Sequence, residues 1–592
     1  MKQKTSLDAD RIRSLTNVAL GTEHADLVIS SGDLVNVYTG ELLKGWSVAI
    51  KGERIAYVGN DVSHTVGPET KVIDASGKTL IPGLIDGHTH LLWWYSLEEF
   101  LKYAMRGGTT TIITETLELA FPLGIDGITE FLEIADNQPI KIFATAPPMP
   151  SLSPIAEALA IDAKALKELL QREEILGLGE MYWSSIIDGN DRIFDLFAET
   201  LAAGKKLEGH SAGARGNRLA AYMAAGISSC HESTTVEEAL ERMRMGIHTM
   251  IREGDIRMEL PVISRITEEN IDFRRLILVT DGVGPRRLMS DGYMEFVVQR
   301  AIDFGFDPIV AIQMATLNVA EHFSIDDIVG GIAPGKYADI VVIPDPKTIR
   351  AEYVVSKGNI IAHNKKLLIP PRKQSFSQKS YRSIEISRKL EPADFAIHID
   401  SANGPVKVRV MDMVTDLVSR ETHLDVAVTK GEIKIDTEND ILKIAIVTTD
   451  GHGEKQRFTG LVRGFGIKKG AFASSAAWDT CAMIVVGANE QDMAEAINRI
   501  VALKGGIVVC ADGKVQAELP LPVGGAISDQ PIEVIVQKLE AIQEKMSDLG
   551  CSLADAHLSL TVFASPAIPF LRICEKGLAD IRKGEIVDLV IS

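Results

Sequence analysis

Residues 80–90 read LIPGLIDGHTH, an apolar strand-like segment that ends in His88 and His90. Side chains alternate between the two faces of a strand, so residues i and i+2 point to the same side. His88 and His90 are therefore placed to bind one metal ion from the end of a single strand. An HxH pair alone is weak evidence, because exposed histidine pairs also occur by chance.

Seven further strand candidates follow this segment, with helical stretches between them. They are TTTIITETLELAF, IKIFATAPPM, ILGLGEMYW, KKLEGHSAG, ISSCHEST, HTMIREGD and RLILVTDGV. Stretches such as SLEEFLKYAMRGG and TTVEEALERMRMG have helical periodicity. Eight alternations of strand and helix over roughly 240 residues predict a closed α/β fold, the (β/α)8 TIM barrel. A doubly wound open sheet is the rival fold, but it does not explain why polar residues end the strands so regularly.

Short strands and turns flank the barrel region on both sides, as in WSVAIKGERIAYVGN before it and GIAPGKYADIVVIPDP after it. This pattern predicts a split β-sandwich domain assembled from both ends of the barrel. A polar, proline-containing linker follows Asn364, and then an additional C-terminal α/β domain. The expected divisions are 1–82 and 331–370 for the two parts of the composite β domain, 83–330 for the barrel and 371–592 for the C-terminal domain.

Charge and composition exclude several classes of protein. The 592 residues include 62 basic and 81 acidic side chains, a formal charge of -19. This charge disfavours nucleic acid and anionic membranes as partners. No apolar run approaches the ~20 residues of a membrane span, and no signal peptide is apparent. Five scattered cysteines without a CxxC pair indicate a reducing, cytoplasmic location.

Six residues of metal-ligand type each end one of the apolar runs. The carboxyl ends of the strands are where a (β/α)8 barrel builds its active site. Imidazole nitrogens suit zinc, iron or manganese, and a carboxylate is able to bridge two such ions. The sequence therefore predicts two divalent metal ions (Fe, Mn or Zn). The predicted ligands are His88, His90, Glu180, His210, His231 and Asp281.

The strand order assigns these ligands to two ions. We expect His88 and His90 from strand one and Asp281 from strand eight to bind the first ion. We expect His210 and His231, from strands five and six, to bind the second. Glu180 ends strand four and is placed to bridge the two, which gives it a catalytic as well as a structural role.

A metal pair lowers the pKa of bound water from 15.7 to about 7, so hydroxide is available at neutral pH. Asp281 is expected to accept the proton of that water and to pass it to the leaving group, which is general acid–base catalysis. A role as ligand alone is the alternative for Asp281. The predicted reaction is hydrolytic attack on a carbonyl, an amidine-like carbon or a phosphoester.

PGLIDGHTH, with a split β domain closed by GIAPGKYADIVV, resembles the amidohydrolase superfamily. Within it, the chain most resembles the adenine deaminases of the bacterial and archaeal type, over nearly its whole length. PGLIDGHTH is specific only to the superfamily. The segments that carry the closer resemblance are GLGEMYW, EGHSAGARGNRLAAYMAAGISSCHE, MIREGD, GFGIKKGAFASSAAWDT and GGIVVCADGKVQAELPLPVGG.

The resemblance implies a binuclear iron, manganese or zinc site and attack of water on the purine carbon that bears the exocyclic amine. Hypoxanthine and ammonia would be the products, in a cytoplasmic purine-salvage reaction. It also implies that Glu180 does the bridging that a carboxylated lysine does in many relatives. A small heterocyclic substrate and a homo-oligomeric assembly are implied as well.

Three segments depart from the family's pattern. LLWW at 91–94 stands in place of Ile-Glu-Ser-Ser, ETLE at 115–118 in place of Asp-Pro-His-Glu, and WDTCA at 478–482 in place of His-Asp-Ser-His-Asn. A site built on hydrogen bonds to one ring rejects analogues by roughly 10⁴ or more, so these changes bear on specificity. Packing is the alternative role for the tryptophan among the substrate-binding candidates, and a structural salt bridge is the alternative for Glu118, Arg252 and Glu253. These candidates are Trp93, Glu118, Arg252, Glu253 and Asp479.

Three functions other than adenine deamination remain open from the sequence. One is deamination of another aminated heterocycle. Another is hydrolysis of a cyclic amide or N-acyl group on the same barrel, although relatives of that kind lack the C-terminal block. The third is a catalytically inactive metal-binding scaffold, against which the intact ligand set argues.

Overall fold

The computed structural model describes residues 7–187, 189–399, 403–449, 457–568 and 570–591. A helix and five strands precede the barrel. Asp8 caps the helix by accepting a hydrogen bond from the backbone N–H of Arg11. The elements are α1 (Ala9–Ala19), β1 (Leu27–Asn36), β2 (Glu41–Lys51), β3 (Arg54–Gly59), β4 (Lys71–Asp74) and β5 (Thr79–Pro82).

Eight parallel strands form the barrel, in the order in which they occur along the chain. Most of their residues are buried, as expected when helices cover the outer face of a parallel sheet. The strands are β6 (Leu84–Thr89), β7 (Thr109–Thr114), β8 (Lys141–Ala146), β9 (Ile175–Tyr182), β10 (Lys206–His210), β11 (Ser229–Cys230), β12 (His248–Arg252) and β13 (Leu276–Val279).

The barrel has two seams, where the ladder from β6 to β10 meets the ladder from β11 to β13. At one seam the N–H of Ser228 donates to the carbonyl of Leu207 over 2.9 Å. At the other, the N–H of Asp281 donates to the carbonyl of His88 over 3.0 Å. These bonds close the ring, and the second places the ends of the first and eighth strands side by side.

Helices alternate with the strands and cover the barrel. Gly108, in the left-handed conformation at φ 107°, ends α2. The helices are α2 (Leu97–Gly107), α3 (Leu117–Ala135), α4 (Pro154–Ala158), α5 (Ala163–Leu170), α6 (Trp183–Ile187), α7 (Asp191–Ala202), α8 (Gly216–Ala224), α9 (Val236–Arg244), α10 (Leu260–Ile263), α11 (Pro285–Ser290), α12 (Met294–Asp303), α13 (Pro308–Met314) and α14 (Leu317–Phe323).

The second strand candidate is shorter than its apolar run suggested. β7 ends at Thr114, and LELAF, which the pattern assigned to the strand, opens α3. The physical reason lies in the residue types. Threonine and isoleucine dominate up to residue 114, whereas leucine, glutamate and alanine, which favour helix, follow.

The chain returns after the barrel to the first β layer. β14 pairs antiparallel with β5, with Val341 opposite Ile81 and Ile343 opposite Thr79. Strands from before and after the barrel therefore share one nine-stranded sheet. The returning strands are β14 (Ile340–Ile343), β15 (Tyr353–Ser356), β16 (Asn359–His363) and β17 (Lys366–Leu367).

The C-terminal region contains a second nine-stranded sheet and a three-stranded one. The strands are β18 (Asn403–Met413), β19 (Ser419–Thr429), β20 (Glu432–Ile433), β21 (Ile441–Val447), β22 (Arg457–Arg463), β23 (Ala471–Ser474), β24 (Met483–Gly487), β25 (Gly506–Ala511), β26 (Lys514–Pro520), β27 (Leu571–Cys574), β28 (Gly577–Asp580) and β29 (Glu585–Val587). The helices are α15 (Glu490–Leu503), α16 (Ile532–Asp548) and α17 (Ala556–Thr561).

Loops of this C-terminal region pack against the end of the barrel at which the strands terminate. The N–H of Ser528 donates to the carbonyl of Trp94 over 3.0 Å, and the Ser153 hydroxyl donates to Glu575 over 3.0 Å. The loop that follows β23 faces the strand ends. The barrel, the shared β layer and the C-terminal α/β region confirm the predicted fold class, and the carboxyl ends of the barrel strands are where the C-terminal region covers the site.

Candidate functional site

All six predicted ligand residues meet at the mouth of the barrel. Three of them lie within a strand, as His88, Glu180 and His210 do, and the others follow a strand end directly or by two residues. Their ligand atoms form three overlapping groups, each with all atoms within 4.8 Å of one another. The groups are His88–His90–Glu180, His88–His231–Asp281 and Glu180–His210–His231.

The first of the two predicted ligand sets surrounds one carboxylate oxygen. The Nε2 atom of His88 lies 3.1 Å from Oδ1 of Asp281, and the Nε2 atom of His90 lies 3.5 Å from the same oxygen. The seam between β13 and β6 brings these residues together. Asp281 has a left-handed backbone at φ 59°, a strained conformation of the kind that clusters at functional sites.

Glu180 lies between the two sets. Its Oε2 atom is 3.0 Å from Nδ1 of His210 and 3.1 Å from Nε2 of His231. Its Oε1 atom is 3.7 Å from Nε2 of His90. One carboxylate oxygen thus faces each set, which is the arrangement that a bridging carboxylate requires.

Two glutamates, one directly after β7 and one in the first turn of α3, lie behind the first pair of histidines. Glu118 approaches Nδ1 of His90 at 2.5 Å, and Glu115 approaches Nδ1 of His88 at 3.6 Å. A carboxylate on one ring nitrogen fixes the ring and leaves the other nitrogen for a metal. The sequence suggested Glu118 as a substrate contact, but the structure places it against His90. The sequence reasoning missed Glu115, although it also ends a strand.

Arg252 and Glu232 form a buried charged group beside Asp281. The Arg252 guanidinium hydrogen-bonds to Glu232, lies 3.2 Å from Oδ2 of Asp281 and donates to Glu259 over 2.7 Å. Glu232 also lies 3.4 Å from Nε2 of His231. The sequence reasoning missed Glu232. Its position directly after the predicted ligand His231 is the signal by which it could have been found.

Glu253, the neighbour of Arg252, points away from the mouth. Its carboxylate accepts a hydrogen bond from Nε of Arg300 over 3.0 Å and another from the N–H of Leu260 over 3.2 Å. Its side chain is fully enclosed by these contacts. The geometry therefore favours the salt-bridge role for Glu253 over contact with a substrate.

The charges of the cluster favour a bound cation. Burial alone would raise the pKa of Asp281, but hydrogen bonds from His88 and His90 hold it well below its usual range. Burial would likewise lower the pKa of His88, but the hydrogen bond and charge of Asp281 raise it to about 9. Burial would also lower the pKa of His90 and of His210, but nearby carboxylates raise both. Burial and the charge of His88 lower the pKa of His231. A metal ion would replace the protons that the other three imidazoles hold.

A cavity of about 310 Å³, here called the mouth cavity, opens over the cluster. The barrel contributes His90, Glu180 and Arg252 to its lining. The C-terminal region contributes Trp478 and Asp479, together with apolar side chains that include Leu558 and Ile568. A concave, largely apolar site with a few convergent polar groups is the usual form of a small-molecule site.

Asp479 is the buried carboxyl group of the C-terminal wall. The Tyr182 hydroxyl lies 3.0 Å from its Oδ1 atom and 2.9 Å from its Oδ2 atom, and the Ser565 hydroxyl donates to Oδ2. Burial raises the pKa of Asp479 to about 7, against the effect of the hydrogen bonds from Ser565 and Tyr182. Tyr182, two residues after Glu180, was missed in the sequence.

The tryptophans after the HxH pair lie outside the lining of the mouth cavity. The ring of Trp93 packs edge-to-face on Trp478, with centroids 4.9 Å apart. The ring of Trp94 packs in the same way on His557, at 5.0 Å. Their geometry therefore favours packing, and Trp478 is the tryptophan that faces the mouth cavity.

Comparison with known proteins gives consistent matches. Residues 79–363 match the amidohydrolase family, and residues 416–585 match the adenine deaminase C-terminal domain. The chain is 39% identical to an adenine deaminase of Moorella thermoacetica, over 98% of both chains. It is 37% identical to adenine deaminase 3 of Rhizobium meliloti, over 98% of both chains. It is 35% identical to an adenine deaminase of Clostridium botulinum, over 98% of this chain and 97% of that one.

Proposed function

Since the chain belongs to the adenine deaminase family of amidohydrolases, we propose that it hydrolyses adenine to hypoxanthine and ammonia. Membership of this family makes it a metal-dependent hydrolase of carbon–nitrogen bonds. The observation that carries the proposal is the convergence of four histidines and two carboxylates at the mouth of the barrel. The intact cluster argues against an inactive scaffold.

Two divalent ions, iron, manganese or zinc, are the proposed cofactors. His88, His90 and Asp281 would hold one ion, and His210 and His231 the other, with Glu180 between them. The donor types suit these metals, and the ligand atoms lie within 4.8 Å of one another in buried surroundings. When bound, such ions lower the pKa of water from 15.7 to about 7 and so supply a nucleophile at neutral pH.

Asp281 is the proposed general base and acid. Its Oδ1 atom faces the histidines, while Oδ2 is held by Arg252 at 3.2 Å, so the carboxylate has a fixed orientation. Asp281 takes a proton from the attacking water and delivers it to the amine nitrogen as the carbon–nitrogen bond breaks. The water oxygen becomes the oxygen of hypoxanthine, and ammonia leaves.

Arg252 and Asp479 are the proposed substrate contacts, because both line the mouth cavity. Asp479 offers a carboxyl group to the polar edge of a purine, and Tyr182 and Ser565 fix its direction. Of the other sequence candidates, Glu118 is proposed to orient His90 instead. Trp93 and Glu253 lie outside the lining of the mouth cavity and are left out of the proposed contacts.

The division into segments 1–82, 83–330, 331–370 and 371–592 is proposed as the domain organisation, supported by which strands share each sheet. A cytoplasmic location is proposed because all five cysteines are free and buried. No helix among the described residues is long and apolar enough to cross a membrane. Homo-oligomerisation stays a prediction of the family resemblance, for light scattering to test.

Ammonia release from the iron- or manganese-loaded protein tests the proposal. Adenine is the first substrate, followed by other aminopurines, pterins and cyclic amides. We expect rapid release from adenine and none from the cyclic amides. If the protein releases no ammonia from adenine but deaminates another aminated ring, the proposed substrate is wrong and the proposed reaction stands. If it hydrolyses only cyclic amides, both the proposed substrate and the proposed reaction are wrong.

A further inference from the structure

Two cavities share Trp478 as a lining residue. One is the mouth cavity of about 310 Å³ over the histidine cluster. The other, here called the side chamber, has a volume of about 40 Å³. Trp478 and Asp479 line both. The indole of Trp478 is therefore part of a partition between the space over the reacting groups and a second, smaller space.

The indole is held in place by two aromatic neighbours. Its ring meets that of His90 at 5.0 Å with an interplanar angle of 82°, and that of Trp93 at 4.9 Å with an angle of 74°. The ring of His90 is itself fixed by Glu118. His90 is 2% exposed and Trp93 is 6% exposed, so both aromatic neighbours of the indole are buried.

The backbone of the partition is anchored by the next residue. Asp479 has a left-handed backbone at φ 57°, and its carbonyl accepts a hydrogen bond from the Ser151 hydroxyl over 2.5 Å. Its carboxyl group is bound by Tyr182 of the barrel and Ser565 of the C-terminal region. Movement of the Trp478 backbone would break these bonds, so Asp479 is a positioning residue for the partition.

The side chamber has both apolar and polar walls. The apolar walls include Leu92, Leu117, Phe121, Pro122 and Ile384, and the polar walls are Glu118, Ser475, Asp479 and Thr480. Its volume exceeds the 10–15 Å³ or so that one water molecule needs. A small alkyl group on a substrate would pack against the apolar walls, because that contact removes apolar surface from water.

We propose that Trp478 is a specificity-determining residue, which closes the side chamber and restricts the enzyme to purines without an added alkyl group. This inference rests on the proposed adenine deamination, since it concerns which purines reach the same site. Removing the indole would join the two cavities and admit a methyl or ethyl substituent. One methylene in an apolar pocket changes specificity by about 10- to 200-fold.

The test is the ratio of kcat/KM for alkylated adenines to kcat/KM for adenine, in wild type and in Trp478→Ala. The panel carries methyl or ethyl on the amine or methyl on ring carbons 2 and 8. For the N6-alkyl compounds the leaving group is the alkylamine and the other product is again hypoxanthine. We expect the ratio for at least one substituent position to rise by about tenfold or more in Trp478→Ala.

Two further variants keep the test decisive. Trp46→Ala removes a half-buried tryptophan of β2 that lines neither cavity, and it should leave every ratio unchanged. Trp478→Phe shortens the partition with less risk to folding and should raise the same ratio by a smaller factor. Ratios that stay flat in both Trp478 variants, while adenine is still deaminated, would overturn the proposal.

Failure of the proposed function is recognised separately. It would appear as absence of adenine turnover in wild type and in every variant. In that case the affinities of the same proteins for adenine and for alkylated adenines, measured by calorimetry, test the role of Trp478 without turnover. Tighter binding of an alkylated adenine in Trp478→Ala than in wild type would support the partition, and equal affinities would overturn it.

Discussion

The two walls of the mouth cavity are built in different ways. The barrel wall carries groups of metal-ligand type at the ends of strands, and its geometry follows from the ladders that join neighbouring strands. The C-terminal wall carries Trp478 and Asp479 on a loop that returns from a separate sheet. From this comparison we propose that the barrel wall determines the chemistry and the loop wall determines which molecule is bound beside it.

The largest effect should come from the barrel wall. Asp281→Asn removes the proposed base but keeps the size of the side chain, and we expect kcat for adenine to fall by about 10²- to 10⁴-fold. Ammonia release measures the loss, and circular dichroism checks that the barrel still folds. Asp272→Asn, at an exposed position, is the matched control. Retained turnover in Asp281→Asn would show that Asp281 is not the general base.

A smaller effect is expected from the carboxylate that orients a ligand. Glu118→Gln weakens the contact with Nδ1 of His90, and loss of such a partner typically costs 10- to 100-fold in metal affinity. Competition with a chelator, read by metal content, gives the affinity. Glu133 is exposed in the part of α3 beyond its kink at Gly124, and Glu133→Gln should behave as wild type. Equal affinities of Glu118→Gln and wild type would contradict this role.

The C-terminal wall should affect binding of the substrate more than the chemical step. Asp479→Asn keeps the shape of the side chain but changes the hydrogen bonds that it offers, and we expect KM for adenine to rise about tenfold with a smaller change in kcat. Steady-state kinetics separates the two constants. Asp529→Asn, exposed in the same region, is the control. A fall in kcat as large as that of Asp281→Asn would contradict the proposal that the C-terminal wall affects substrate binding more than the chemical step.

The smallest effect concerns stability against pH. Burial raises the pKa of Asp479 to about 7 in the folded protein, whereas the unfolded value is about 3.9. Between these pH values the folded chain keeps a proton that the unfolded chain has released. The free energy of unfolding therefore falls as the pH rises from about 4 to about 7. Asparagine does not ionise. The Tm of metal-free wild type relative to Asp479→Asn should therefore fall from pH 5 to pH 8, and an unchanged difference would contradict the assignment.

The same contrast explains what the sequence was able to predict. His88, His90, Glu180 and Asp281 each end an apolar run, and the symmetry of a barrel brings such positions together at one end. Local pattern is enough for this inference. No local pattern predicts the residues of the loop wall. Tyr182 and Asp479 lie 297 residues apart in the sequence and meet only because two regions of the chain pack together.

Local pattern also misjudged some side chains. Glu118 and Glu253 have residue types that suit substrate contact, but one binds His90 and the other binds Arg300. Trp93 was a substrate-binding candidate, but the structure packs it against Trp478 and leaves it outside the lining of the mouth cavity. Whether a polar or aromatic side chain faces a cavity depends on tertiary packing, which a single sequence does not express.

The most direct test of the account is kcat for adenine as a function of the metal bound per chain, with metal content and ammonia release measured on the same samples. The account predicts that activity is absent in the metal-free protein and reaches its maximum at two ions per chain. Full adenine turnover without metal, or none with two ions bound, would contradict it.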